Sequence, residues 1–174
     1  MKTTPDPAAS ALNPSVGPRK LGVSAQWSGV WFDAGTQVDV LSLSGAFALN
    51  GVLAVAVENA VKTSPGKVVF FNSVLEFVSA VNVGALPDML TFTPNGRYAL
   101  VANEGEPNAD YSEDPEGTVS IIDLSGGLNS VNQSKVRTAG FSSFNAAALD
   151  SSIRIFGPGA SVAQDLEPDH VVAR

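Results

Sequence analysis

Beyond Leu21 the apolar residues fall in short runs, not in helical stripes. TQVDVLSL, VLAVAV, KVVFF, DMLTF, RYALVA and TVSIID are rich in β-branched and aromatic residues and are separated by Gly, Asn, Pro or Asp. That is the pattern of strands divided by turns. No apolar period of about 3.6 interrupts them. The best helical stretch, SSFNAAALDSS around Phe144 to Asp150, is short and alanine-rich and is marginal without tertiary support. Residues 1 to about 20 are rich in Pro, Ser and Ala, show no period and cannot bury enough surface to offset their ordering entropy. They are expected to form a flexible tail.

The runs repeat. FALNGVLAVAVEN from Phe47 aligns without gaps on FTPNGRYALVANE from Phe92, an offset of 45 residues. Each copy reads as strand, Asn-Gly turn, strand, with the pair supplying the positive φ of a type I′ hairpin. GKVVFFN from Gly66 matches GTVSIID from Gly117 at an offset of 51. The extra residues therefore lie between Asn103 and Glu116, in an enlarged version of the connection ENAVKTSP. A third unit is suggested where DLEPDHVVA from Asp165 matches GALPDMLTF from Gly84, and residues 128–164 read as an insertion. QVDVLSLSG resembles TVSIIDLSG, as if it closed a preceding unit, but too few residues then remain before Phe47 for a first strand.

Units of about 45 residues with about four strands have the size of β-propeller blades. The expected fold is all-β, a partial propeller of about two to two and a half four-stranded blades with an acidic loop insertion. Residues 1–34 form a divergent N-terminal segment and 35–174 the incomplete propeller, with units near 45–83, 84–127 and from 165. Open sheet edges would favour self-association, so the chain by itself is expected to be marginal or oligomeric.

The chain has 174 residues, 44% of them hydrophobic, enough for one ordinary domain with a core. Its net charge of −7 excludes a basic footprint for nucleic acid. No cysteine occurs, which removes disulfides, thiolate zinc sites and cysteine nucleophiles. No apolar run reaches the length of about 18 residues that spans a bilayer, and the first twenty residues lack the apolar centre of a secretory signal. Asn132-Gln133-Ser134 is a glycosylation sequon that matters for an exported eukaryotic parent.

The charge is unevenly placed. From Tyr98 through Ser134 there is no Lys or Arg, while Glu104, Glu106, Asp110, Glu113, Asp114 and Glu116 crowd one loop. These offer the oxygen ligands that Ca²⁺ prefers, without the glycine and bidentate glutamate spacing of an EF-hand. The same residues also suit a solvated loop, since two carboxylates about 6 Å apart in water repel by only about 0.7 kcal/mol. Asp88, Asp165, Glu167 and Asp169 flank the Leu-Pro and Glu-Pro starts of successive units, where they would converge near a central channel or merely cap turns. The metal set expected from both groups is Glu104, Glu106, Asp110, Asp114, Glu116, Asp165 and Glu167.

Convergent, dehydrated carboxylates would need a cation or raised pKa values, the basis of a metal-assisted phosphatase. No nucleophile and base are identifiable. His170 is the single histidine, which excludes a two-histidine metal site and suits a structural position in a strand. GPGASV at Gly157 lacks the glycines of a phosphate loop. Trp27 and Trp31 suit core packing better than an exposed sugar-stacking pair.

From Leu53 to Val172, about two thirds of the chain, the segments VAVENAVKTSPGKVVFFN, VGALPDMLTFTPNGRYALVANEGEPNADYSEDPEGTVSIIDLSGG and IRIFGPGASVAQDLEPDHV resemble the choice-of-anchor I family. The resemblance implies a large cell-surface or secreted β-propeller protein, of a kind often labelled alkaline phosphatase-like, phytase-like esterase or mesenchyme-specific cell surface glycoprotein. It implies an extracellular or cell-surface location. The leading expectation is a noncatalytic module that binds a protein or small molecule, with Ca²⁺ at the acidic loop. The alternative is a metal-dependent phosphatase or phytase-like hydrolase that needs the complete ring.

Overall fold

The computed structural model describes the backbone of residues 43–49 and all of residues 51–145, 149–150 and 152–174. The expected tail, Trp27, Trp31 and most of TQVDVLSL lie outside the described residues.

Eight strands form two antiparallel sheets, each in simple sequence order. The first contains β1 (Leu43–Leu49), β2 (Val52–Val57), β3 (Pro65–Phe71) and β4 (Phe77–Ala85). The second contains β5 (Pro87–Phe92), β6 (Tyr98–Asn103), β7 (Thr118–Asp123) and β8 (Val136–Gly140). A single helical turn, α1 (Val162–Asp165), follows; Ser161 and Gln164 cap it reciprocally. The all-β expectation holds, with two strands that the apolar runs do not mark. Both β4 and β8 are outermost strands, and β8 lies within 128–164, so the second sheet continues to Gly140.

The repeat predicts the ladder. Phe47 pairs with Ala54 and Phe92 with Ala99, the same partnership 45 residues on. Ala54 then pairs with Phe70 and Ala99 with Ile122. The offset between these last partners is 52, one more than the Gly66–Gly117 match, so by register Thr118, not Gly117, stands where Gly66 does; the second sheet also carries one further pair, Asn103 with Thr118. Asn103 is fully buried and its Nδ2 donates to the Thr118 carbonyl at 3.2 Å and to Ser120 Oγ at 3.0 Å. Those bonds lengthen the ladder.

The turns depart from the type I′ expectation in the second copy. Gly96 has φ 67°, but Asn95 is not among the residues of positive φ, as a type I′ turn would require. Pro94 fixes the preceding φ for a type I turn instead. Gly96 N donates to the Thr93 carbonyl at 2.8 Å, and Asn95 Oδ1 accepts from Arg97 N. In the first copy only Asn50 and Gly51 separate paired Leu49 and Val52, and Gly51 has φ 78°. The first strand also uses Leu43 to Gly45, with a bulge there, so those residues open this sheet and do not close a preceding one.

The sheets stack with β1 against β5 and β4 against β8. Between them Ala54, Ala56, Val68, Phe70, Leu90, Phe92, Ala99, Val101 and Ile122 form one cluster. Large residues face small ones: Phe70 lies opposite Ala54, and Ile122 opposite Ala99. Burying a side chain such as Phe70 fully contributes about 2–3 kcal/mol. On the far face of the first sheet Val55, Val57, Val69 and Phe71 form a second buried cluster. This explains why VLAVAV and VVFF read as continuous apolar runs.

Candidate functional site

Two connections leave the same end of neighbouring sheets and meet. The β2–β3 connection is residues 58–64 and the β6–β7 connection is the longer, acidic 104–117. Lys62 Nζ pairs with Glu106 Oε2, and Thr63 Oγ1 donates to Glu113 Oε2 at 2.6 Å. The acidic loop is thus an insertion between repeated strands, held by the shorter connection beside it.

At its tip the loop is bonded to itself. Glu113 N donates to Asn108 Oδ1, Asn108 N to the Glu113 carbonyl, and Ser112 N and Oγ to Asp110 Oδ1. The bonds from Ser112 hold the exposed Asp110 carboxyl below its usual range. Asp110 and Glu116 are exposed, and Glu113 is engaged by Thr63. These three carboxylates belong to the wet rim.

At the base the charges come together from three segments. Glu104 follows β6, Asp88 lies at the start of β5, and Glu167 and Asp169 flank Pro168. Burial, with Asp88, Glu106, Asp169 and Glu167 around it, pushes the Glu104 carboxyl up to about 7. Burial and Asp169 also raise Asp88, opposed by His170. Glu167 is raised by burial and then by Glu106, Asp165 and Asp114, with Lys62 opposing. Asp88 and Asp169, the residues that follow Pro87 and Pro168, therefore lie near each other. His170, expected in a structural strand position, is instead exposed and sits 3.1 Å from Asp169 Oδ1 through Nδ1.

The same docking occurs at Pro87 and at Pro168. A Cβ placed on Gly66 would lie 2.5 Å from Pro87 Cδ, and one on Gly117 would lie 2.7 Å from Pro168 Cδ and 1.8 Å from the Leu166 carbonyl oxygen. In each sheet the glycine before or at the start of the third strand seats the proline of the following Pro-Asp. Gly117 N also donates to the Ala163 carbonyl at 2.9 Å, and Val171 N contacts Met89 Sδ at 3.4 Å.

Beside this seat lies a cleft of about 160 Å³ walled by Tyr111 and Phe156 and floored by Asp114, Asp165 and Glu167. Asp165 is a structural cap: its two oxygens accept from Phe156 N and Gly157 N at 2.7 Å each. Asp114 differs. Its Oδ1 is buried with no hydrogen-bond partner, and burial and Asp165 raise its pKa. Gln164 Nε2 fixes the loop there by donating to the Asp114 carbonyl at 2.8 Å. Among the described residues no three carboxylates converge tightly enough to enclose an ion as they stand. Lys62, Thr63, Tyr111, Phe156 and Gln164 carry no motif, and only the fold brings them to the loop.

Among the described residues no helix is long and apolar enough to cross a membrane. No curated protein matches the chain. A solved structure titled as that of a eukaryotic initiation factor is similar at 20% identity and a TM-score of 0.41, over 62% of this chain. This chain spans about a quarter of that one, 24%. The family model described as the choice-of-anchor I domain matches residues 32–174, most of the length. The chain therefore belongs to the choice-of-anchor I family, a cell-surface-associated domain.

Proposed function

We propose that these sheets are adjacent blades of a cell-surface β-propeller that acts as a noncatalytic binding module, with Ca²⁺ recruited at the base of the acidic loop. The stacking of two four-stranded meanders and the repeated glycine–proline seat support the propeller reading, since blades of this kind bury their faces only against one another. The observation that carries the calcium reading is Asp114 Oδ1, buried without a donor. A buried carboxylate oxygen with no partner is costly, and a hard cation is one group that relieves it.

Asp114 would supply the fixed ligand. Glu167, which is exposed, can turn toward it, and Glu106, whose side chain is 41% exposed, can do so by giving up its pair with Lys62. Asp165 is engaged by backbone N–H groups, and Asp110 and Glu116 remain at the rim. Extracellular modules hold calcium at about 10⁻⁴–10⁻³ M, so isothermal titration of the intact protein should develop heat over that range and lose it in Asp114→Asn. Absence of heat in the native chain ends the calcium reading. Release of phosphate from a chromogenic ester by the intact protein, abolished by chelator and by Glu104→Gln, would move the assignment to a hydrolase. Self-association through the open edges of β4 and β8 should appear as a concentration-dependent sedimentation coefficient.

A further inference from the structure

We propose that Asn132 is the acceptor of an N-linked glycan on the outer rim of the sheet pair. Asn132-Gln133-Ser134 is the single usable sequon in the chain, because Asn13-Pro14-Ser15 carries proline at its centre, which disqualifies it. The tripeptide stands on the 3-10 turn Gln133–Lys135 just before β8. Asn132 and Ser134 are both exposed.

Its geometry suits the acceptor role. Asn132 Oδ1 accepts from Ser134 Oγ at 2.7 Å and from Ser134 N at 2.9 Å. The hydroxyl that the sequon requires thus already engages the acceptor amide. Nδ2 donates to the Ser130 carbonyl at 3.0 Å. An amide nitrogen has two hydrogens, so one can be replaced by a sugar while the bond to Ser130 is kept. In the transfer, Nδ2 attacks the anomeric carbon of a lipid-pyrophosphate-linked oligosaccharide. The N–C bond forms, the C–O bond to the pyrophosphate breaks, the lipid pyrophosphate leaves, and the amide proton passes to a base of the host transferase.

The middle residue holds the site against the fold. Gln133 Oε1 accepts from Asn82 N at 2.8 Å and its Nε2 donates to the Asn82 carbonyl at 3.1 Å, a backbone-like pairing with the free edge of β4. A glycan on Asn132 would stand beside that edge, where bulk and hydration oppose strand addition. The inference depends on the surface reading only for the natural route into the secretory pathway.

The test expresses the full chain behind a cleavable leader in a eukaryotic secretory host. Leader-processed chain should carry one glycan, removed by an N-glycan amidase that leaves Asp at position 132 in the peptide mass spectrum. The mass shift should vanish in Asn132→Gln and Ser134→Ala and persist in Ser134→Thr, which keeps the hydroxyl, and in Asn13→Gln. Leader-processed chain without a glycan overturns the proposal. Glycosylated chain upholds the acceptor whether it is secreted or retained, secreted chain without sugar overturns it, and neither outcome bears on the surface reading, because the leader is supplied.

Discussion

The first sheet buries both faces, with Ala54, Ala56, Val68 and Phe70 on one side and Val55, Val57, Val69 and Phe71 on the other. The second buries Ala99, Val101 and Ile122 on the shared side and leaves Leu100, Val119 and Ile121 half-exposed on its far side. One ladder register thus serves two environments. The shared face decides the register, and the far face is free to vary. If that is right, the equivalent residues Phe70 and Ile122 carry the largest effects. Phe70→Ala should cost about 3–5 kcal/mol and Ile122→Ala about 2–5. Both should shift one common denaturant midpoint, because their side chains share a cluster. Two separate transitions, each moved by one variant alone, would show that the sheets are independent.

The glycine seats sharpen the comparison. Adding a methyl at Gly66 forces a contact with Pro87 and with the Val57 carbonyl, inside the junction of the two described sheets. At Gly117 it meets Leu166 and Pro168, beyond the second sheet. Overpacking of this kind costs about 1–3 kcal/mol. Gly66→Ala should therefore lower the global midpoint. Gly117→Ala should leave most of it intact and speed amide exchange locally over residues 163–171. Equal global losses would mean that the segment after Ser161 is as integral to the core as β5.

The sequence made the inner strands legible because burial on one or both faces demands apolar residues at fixed spacing, as in VLAVAV and RYALVA. The last strand of each sheet escaped for the opposite reason. Every residue of VRTAG in β8 is exposed or half-exposed, so no apolar alternation was required of it. Phe77–Ala85 in β4 mixes Ser, Asn and Gly with its valines. The turn at Pro94 departs from the type I′ expectation because Asn-Gly alone does not fix a turn type when proline precedes it. The acidic loop was visible as a charge excess. Its division was not: Asp110, Glu113 and Glu116 stay at the rim, whereas Asp88, Glu104, Glu167 and Asp169 meet at the base. That meeting depends on segments about 80 residues apart in sequence, placed together by the seating of Pro87 and Pro168.

Glu104 tests the electrostatic half of the comparison, since its counterpart 45 residues earlier is the neutral Asn59, whose amide simply closes a turn onto the Pro65 carbonyl. The Glu104 carboxyl is raised from its ordinary 4.5 to about 7. Between those values the folded chain retains a proton that the unfolded chain releases. Stability therefore falls as pH rises through that window and is level above it. With calcium removed by chelator, Glu104→Gln should match the native chain in acid and exceed it by on the order of 1 kcal/mol at about pH 8, a figure reduced for solvent screening. A native chain with no decline across the window would mean that the cluster is better solvated than its geometry implies.

The smallest effect belongs to Lys62, the cation that the shorter connection extends to the acidic one. Its pair with Glu106 is about half-exposed, with side chains 45% and 41% accessible, and pairs of that kind contribute about 0.2–1 kcal/mol. The two connections also keep the Thr63–Glu113 bond at 2.6 Å. Lys62→Met should therefore cost no more than about 0.5 kcal/mol at physiological salt and almost nothing at about 1 M, where screening acts within about 3 Å. Its electrostatic trace should be clearer than its energetic one. Lys62 opposes the upward push on Glu167, so its removal should move that carboxyl further up, visible in a side-chain NMR titration. A cycle with Glu106→Gln that returned a coupling of about 2 kcal/mol or more would place the pair in a drier setting than a rim contact. The two connections would then be part of the packed stack between sheets, not two loops touching at its surface.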